Sequence, residues 1–241
     1  MTQKIALVTG ATRGIGLETV RQLAQNNVHV LLAGRDRAKA TEAALKLQAE
    51  GLSVAAIALD VDDANSIATA AKEVEARHGH LDILVNNAGI LVDDQAKKPS
   101  EQTLDAWRKT FDTNLFSLVA VTQAFLPLLH KSDAGRVVNV SSILGSNTLH
   151  SDPTSGIYDL KVPAYNVSKS AVNAWTVHLA HELRDTKIKV NAIHPGSVKT
   201  DMNSHGDLDV ADGAKSSVEL ALIGADGPNG SFSHLGQTLP W

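Results

Sequence analysis

Tyr165-Asn-Val-Ser-Lys169 sets a phenol and an ammonium four residues apart, and Ser142 ends an apolar run upstream of them. Residues i and i+4 are neighbours on one helical face. Free tyrosine gives up its proton at about pH 10, too high for ready proton exchange at neutral pH. A fixed positive charge a few ångströms away favours the phenolate, so Lys169 is expected to move the Tyr165 pKa down. Such a group can give a proton to a carbonyl oxygen or take one from an alcohol, and a serine hydroxyl beside it can hold the same oxygen. Tyr-x-x-x-Lys by itself is common in helices, so its meaning depends on what else the chain carries.

The N-terminal region carries a second chemistry. Thr9-Gly10-Ala-Thr12-Arg13-Gly14-Ile15-Gly16 follows an apolar run and opens a helical one. Glycines allow a tight turn and close approach of a pyrophosphate, and a helix N-terminus offers free N–H groups with a partial positive charge. The choice of dinucleotide rests on the end of the second strand. Asp or Glu there accepts from a ribose 2′-hydroxyl, whereas Arg accommodates a 2′-phosphate. This chain reads Leu-Leu-Ala-Gly34-Arg35, with Gly34 where a carboxylate is expected. Arg13 and Arg35 together suit a dianion, so NADP(H) is expected in preference to NAD(H).

These groups need a scaffold, and the hydrophobic pattern describes one. Residues 4–9, 28–33, 54–59, 83–86, 136–141 and 187–193 are near-continuous apolar runs, the pattern of strands buried on both faces. Between them, residues 16–26, 37–50, 63–79, 104–130, 164–184 and 209–223 show helical periodicity. The alternation predicts an α/β fold: a doubly wound parallel sheet with helices on both faces, in one domain spanning residues 1–241. At 43% hydrophobic and 20% charged, the chain can build a full core. Its net charge of −4 gives no support for nucleic-acid binding. No uninterrupted apolar run approaches the roughly 18 residues of a membrane span. There is no visible signal peptide and no cysteine, so a cytoplasmic location is expected. No pair of its ten histidines has a metal-ligand spacing such as HExxH, and no metal site is predicted. His178 and His181, three apart on a helix, read as surface or packing residues.

Together these residues resemble the short-chain dehydrogenase/reductase family over nearly the whole chain. The likeness rests on Thr9-Gly-x-x-x-Gly-x-Gly16, Asp60-Val61 after the third strand, Asn86-Asn-Ala-Gly89 after the fourth and Asn114 in a long helix. It continues through Ser142, Tyr165-x-x-x-Lys169 and Pro195-Gly196. The resemblance implies a Rossmann-type sheet of about seven strands and an NADPH-dependent reduction of a ketone, aldehyde or quinone, reversible as alcohol oxidation. It implies a catalytic tetrad of Asn114, Ser142, Tyr165 and Lys169. Tyr165 would exchange the proton, Lys169 would tune it and bind the nicotinamide ribose, Ser142 rather than Ser141 would polarise the substrate oxygen, and Asn114 would hold a relay water. Gly10, Thr12, Arg13, Gly14, Ile15, Gly16 and Arg35 would meet the phosphates, and Asp60 and Val61 the adenine. Asn87 would line the cofactor cleft. Pro195, Val198 and Thr200 would close over the nicotinamide. Asn86 reads as a brace between strands, and His194 as structural.

The chain departs from the family pattern in two places. Ser142 and Tyr165 are 23 positions apart, a longer gap than in most members and similar to carbonyl reductases. The insertion, at about residues 147–162, is expected at the active-site rim, with Leu149, Ile157, Tyr158 and Leu160 offering apolar contacts. By contrast, few residues separate Asp201 from the next helix, so the lid is short and the site open to bulky or extended carbonyl substrates. The ending, with its terminal Leu-Pro-Trp241, also looks like the carbonyl-reductase branch. Helices 104–130 and 164–184 are the family's packing surfaces, with Val167, Ala171, Ala174 and Trp175 as a contact face. Both a monomer and a homo-oligomer fit the sequence. Two other readings use the same scaffold. A cofactor-binding regulator would show a broken tetrad, and an epimerase or dehydratase with tightly held NAD would carry a larger C-terminal domain.

Overall fold

A computed structural model describes residues 3–241. The six apolar runs become β1 (Ile5–Val8), β2 (His29–Gly34), β3 (Val54–Ala58), β4 (Ile83–Asn86), β5 (Arg136–Val140) and β6 (Lys189–Ile193). With β7 (Phe232–His234) and β8 (Gln237–Thr238) they form one sheet of order β3-β2-β1-β4-β5-β6-β7-β8. Every pairing from β3 to β7 is parallel. Successive strand side chains alternate between faces. Ala6 and Val8 accordingly pack with α1 (Gly14–Gln25), α2 (Arg37–Ala49) and α8 (Val210–Leu222). Ile5 and Leu7 pack on the other side with α3 (Ala64–His78), α5 (Ser117–Leu129) and α7 (Pro163–Glu182). Leu7, Leu23 and Phe125 are fully buried, and each such side chain contributes roughly 1.5–3 kcal/mol.

The sheet has eight strands, one more than predicted. Leu235 and Gly236 both adopt left-handed backbone, with φ of 46° and 75°, and form a two-residue reversal of the kind that suits strand twist. That turn folds Gln237–Thr238 back antiparallel onto β7. The helix predicted over residues 104–130 is interrupted. α4 (Leu104–Phe111) and α5 flank a wider turn at Asp112–Phe116, in which the Ser117 N–H donates to Asp112 O, five residues back. By length and mean hydropathy Leu104–Leu129 could cross a membrane, but half of its most apolar window is buried inside the fold. The insertion contains a short helix, α6 (Asn147–Ser151).

Sequence order along the sheet reverses between β1 and β4, because the chain leaves β3 at one edge and re-enters beside β1. A crevice opens outside the strand ends at such a switch point. A polar seam crosses the sheet beneath it. Asn86 Nδ2 donates to Asn139 Oδ1 and to Thr122 Oγ1, both at 2.9 Å, and Asn139 Nδ2 donates to Thr176 Oγ1 at 2.9 Å. Asn86 thus braces β4 against β5 and α5, as its position suggested. Replacing it leaves a buried Asn139 oxygen without its donor. Asn86→Ala is expected to lower stability by about 1–3 kcal/mol in urea unfolding, and an unchanged midpoint would refute the bracing role.

Candidate active site

A cleft of about 1820 Å³ runs along the crevice. Its walls include Gly10, Thr12 to Gly16, Arg35, Asp60, Val61, Asn87, Ser142, Tyr165, Lys169, Pro195, Val198 and Thr200. Of the predicted tetrad and cofactor-contact residues, only Asn114 lies behind the wall, fully buried.

At one end, β1 passes through a tight turn into α1. Gly10 and Gly14 have φ of 62° and 56°. A Cβ on Gly10 would meet Ala88 Cα at 2.9 Å, whereas one on Gly14 would face Thr200 Cγ2 at 3.8 Å across the cleft. A Cβ on Gly16 would clash with Asn87 Nδ2. No side chain caps the α1 N-terminus, and its first turn holds no acidic residue. Free helix N–H groups with this polarity form an anion cradle, so the turn fits a pyrophosphate. Asn87 serves this turn more than the open cleft, because its Nδ2 donates to Thr9 O and Gly10 O. Arg35 is exposed at the cleft edge with no acidic partner among the described residues. Lys39 lines the cleft beside it, a cation the sequence reading missed. The nearby carboxylate of Asp36 caps α2 by accepting from Ala38 and Lys39 N–H. Arg13 does not stand free: it is ion-paired with Asp201 across the cleft mouth. Both partners are well exposed, so the pair is weak.

At the other end, β5 delivers Ser142 and α7 delivers Tyr165 and Lys169. The Ser142 hydroxyl accepts from Leu144 N–H at 3.2 Å and lies close enough to the Tyr165 phenol to favour its ionised form. Ser141 is buried and donates to Lys169 O at 3.3 Å. Lys169 Nζ lies over the Tyr165 ring, 5.6 Å from its centroid, and donates to Val140 O at 2.8 Å. Burial pushes the phenol up to about 12, with the Ser142 hydroxyl working against that rise. The same burial pulls Lys169 down to about 8. The expected downward shift of Tyr165 is therefore reversed: desolvation of the phenolate outweighs an ammonium that faces the ring rather than the oxygen.

Asn114 sits in the wide turn between α4 and α5. It accepts from Ile90 N–H at 2.8 Å and donates to Ile90 O at 2.9 Å and Ser168 Oγ at 3.0 Å. Asp62 accepts from Thr113 Oγ1 and Ser117 Oγ, holding both flanks of that turn. Ile90, Ser168 and Asp62 escaped sequence reasoning. Ser168 was findable three residues from Tyr165, but a backbone partner such as Ile90 leaves no side-chain signal.

The insertion lies on the cleft rim. Ile157 and Leu160 line it, along with Asp159 and Lys161, while Leu149 and Tyr158 do not. Tyr158 lies instead under the Lys161 ammonium, 4.9 Å from its ring centroid. Opposite, the segment after Thr200 is short, as predicted, and α8 begins at Val210 with Asp209 as its cap. His194 packs against His234 with the rings tilted by 43° and centroids 5.1 Å apart, and its Nδ1 has no partner among the described residues.

Burial, and then the neighbouring His234, pull His194 down to about 4. The unfolded chain therefore binds this proton more tightly, so the contribution to stability is complete above about pH 6.5 and lost as pH falls towards 4. His194→Asn is expected to remove about 2–3 kcal/mol of the acid-induced loss. Urea unfolding at neutral and acid pH measures it, and parallel pH profiles for both proteins would refute it.

The short chain dehydrogenase family model matches residues 4–210. The (+)-neomenthol dehydrogenase of Arabidopsis thaliana is 35% identical over 285 residues, covering 96% of each chain. The salutaridine reductase structure from Papaver somniferum superimposes with a TM-score of 0.83 at 30% identity, over 97% of this chain and all of the other. An NADPH-bound carbonyl reductase from chicken fatty liver has a TM-score of 0.85 at 28% identity, covering all of this chain and 95% of the other. On its sequence match and its fold, the chain belongs to the short-chain dehydrogenase family of oxidoreductases, which act with nicotinamide cofactors.

Proposed function

We propose that the chain is an NADP(H)-dependent carbonyl reductase that transfers a hydride to a ketone, aldehyde or quinone and oxidises the alcohol in reverse. The observation carrying this reading is the meeting of Ser142, Tyr165 and Lys169 at one end of a cleft whose other end is the uncapped start of α1. The dinucleotide, when bound, supplies or accepts the hydride. The chain's residues then manage the oxygen. Ser142 and Tyr165 donate to it as negative charge grows, an arrangement of the oxyanion-hole type. A phenol held at about 12 keeps its proton at neutral pH, so Tyr165 stands in the form that donates, and the negative charge growing on the substrate oxygen has to draw that proton out. Lys169 at about 8 remains mostly charged there and supports the anionic form of Tyr165 once the proton has gone. On this reading Asn114 would hold a water leading from Lys169 towards solvent.

Arg35 supports the NADP(H) preference: it stands where the second strand ends, without an acidic partner among the described residues, and Lys39 adds a second charge. Arg13 joins them only by leaving Asp201. On this reading Asp60 and Val61 would meet the adenine, and Pro195, Val198 and Thr200 the nicotinamide; all five line the cleft. The width of the cleft, the apolar Ile157 and Leu160 and the short lid favour bulky or extended carbonyl substrates.

NADPH consumption against a panel of cyclic ketones, aldehydes and quinones tests the reading. Tyr165→Phe is expected to lower kcat about 10²–10⁴-fold and Ser142→Ala about 10²–10³-fold. NADPH binding without turnover of any carbonyl would overturn the reductase assignment. Arg35→Ala is expected to reduce kcat/KM for NADPH about tenfold or more while leaving NADH little changed. An equal loss with both nucleotides would remove the argument for the 2′-phosphate.

A further inference from the structure

The start of α7 is held from an unexpected direction. Pro163 opens the helix and has no N–H, and Val162 at the cap position offers no side-chain acceptor. Two of the next three donors go to one carboxylate from the opposite wall. Asp93 Oδ1 accepts from Ala164 N–H at 2.8 Å, and Oδ2 accepts from Tyr165 N–H at 3.0 Å. The Asn166 N–H donates to Val162 O at 2.8 Å, which completes the turn. Asp93 is 8% exposed, so its charge is balanced by these bonds and by the positive end of the helix.

Asp93 is itself fixed on both sides. Upstream, Asn87 and Ala88 N–H donate to Thr9 Oγ1, and Ile90 exchanges two bonds with the Asn114 side chain. Downstream, Asp94 N–H donates to Gln102 Oε1, and Gln102 Nε2 donates to Asp94 O. The carboxylate's position is therefore set by β1, the Asn114 turn and the Gln102 contact, none of which belongs to α7. The residues that precede α7 in the chain are the insertion, largely exposed and lining the substrate side of the cleft.

We propose that Asp93 is a positioning residue for the reaction, its carboxylate gripping the first turn of α7 so that Tyr165 keeps its place against Ser142 while the insertion moves to admit substrate. This rests on the reading of Tyr165 as proton donor. A proton donor displaced by about 1 Å can lose about 10²-fold in rate, and the insertion joins the helix only two residues before Tyr165.

The test uses the full chain with Asp93→Ala and Asp93→Asn. Asp93→Ala is expected to lower kcat towards a bulky ketone by about 10²-fold with the NADPH dissociation constant unchanged. Asp93→Asn keeps one acceptor oxygen and recovers part of the loss. Amide hydrogen exchange is expected to accelerate at residues 164–169 in Asp93→Ala, with residues 175–182 unaffected. An unchanged kcat per NADPH-binding site, or faster exchange spread evenly along α7, would overturn the proposal. Asp93→Asn carries the same comparison should the alanine variant fail to fold. If the wild-type chain reduces no carbonyl, the reductase reading falls, and the exchange experiment alone decides whether Asp93 fixes the Tyr165 turn.

Discussion

The structure depends on keeping an ammonium charged where water hardly reaches it. Lys169 is 4% exposed and has one protein partner, the Val140 carbonyl. An unpaired charge in such a place is costly unless polar groups surround it. The surrounding chain closes tightly on it. A Cβ on Gly145 would meet the Lys169 carbonyl carbon at 2.8 Å, and one on Gly89 would meet Asn114 Oδ1 at 3.3 Å and Lys169 Nζ at 3.5 Å. Glycine at these two positions lets the ends of β4 and β5 close around the lysine. The Ser142 loop and α7 are consequently packed backbone to backbone, which sets the serine beside the phenol.

The wide turn at Asp112–Phe116 serves the same constraint. Turns of this kind interrupt α-helices frequently at functional sites. In a continuous helix Asn114 would take a different rotational position relative to Ile90 and Ser168. The extra residue turns it inward, where its amide ties the β4 loop to α7. Asp62 holds both flanks of that turn, and it follows directly on Asp60 and Val61 at the adenine end of the cleft. The two ends of the site are therefore braced through one short loop.

Strands buried on both faces announce themselves as apolar runs, so β1 to β6 were readable within a residue or two. The glycine turn was readable because a positive φ and a close backbone approach each demand glycine. The wide turn was hidden because helical periodicity tolerates one extra residue within a long helical run. β8 was hidden because its reversal uses Leu235, a residue that rarely adopts left-handed backbone. The direction of the Tyr165 shift was misjudged for a different reason. Spacing along a helix says that two side chains are neighbours, but not whether a charge faces the hydroxyl or the ring, nor how dry the place is. The Arg13–Asp201 pair joins residues far apart in sequence, and no local pattern marks it.

The two walls of the substrate side differ in how firmly they are built. After Val198 the chain folds tightly on itself: Lys199 N–H donates to Leu208 O, and Asp207 and Leu208 N–H donate to Ser197 O. Gly206 lies against the backbone of Val198 and Lys199, where any side chain would clash. This short segment has little freedom to close over a ligand. The insertion is anchored mainly at its ends. Ser146 Oγ and Thr148 N–H donate to Trp241 O near its start, and Asn166 Nδ2 of α7 donates to Leu160 O near its finish. Between these points its residues are largely exposed. Adaptation to substrate shape therefore falls to residues 152–160, while the groups that handle the oxygen sit on elements fixed by the sheet and by Lys169.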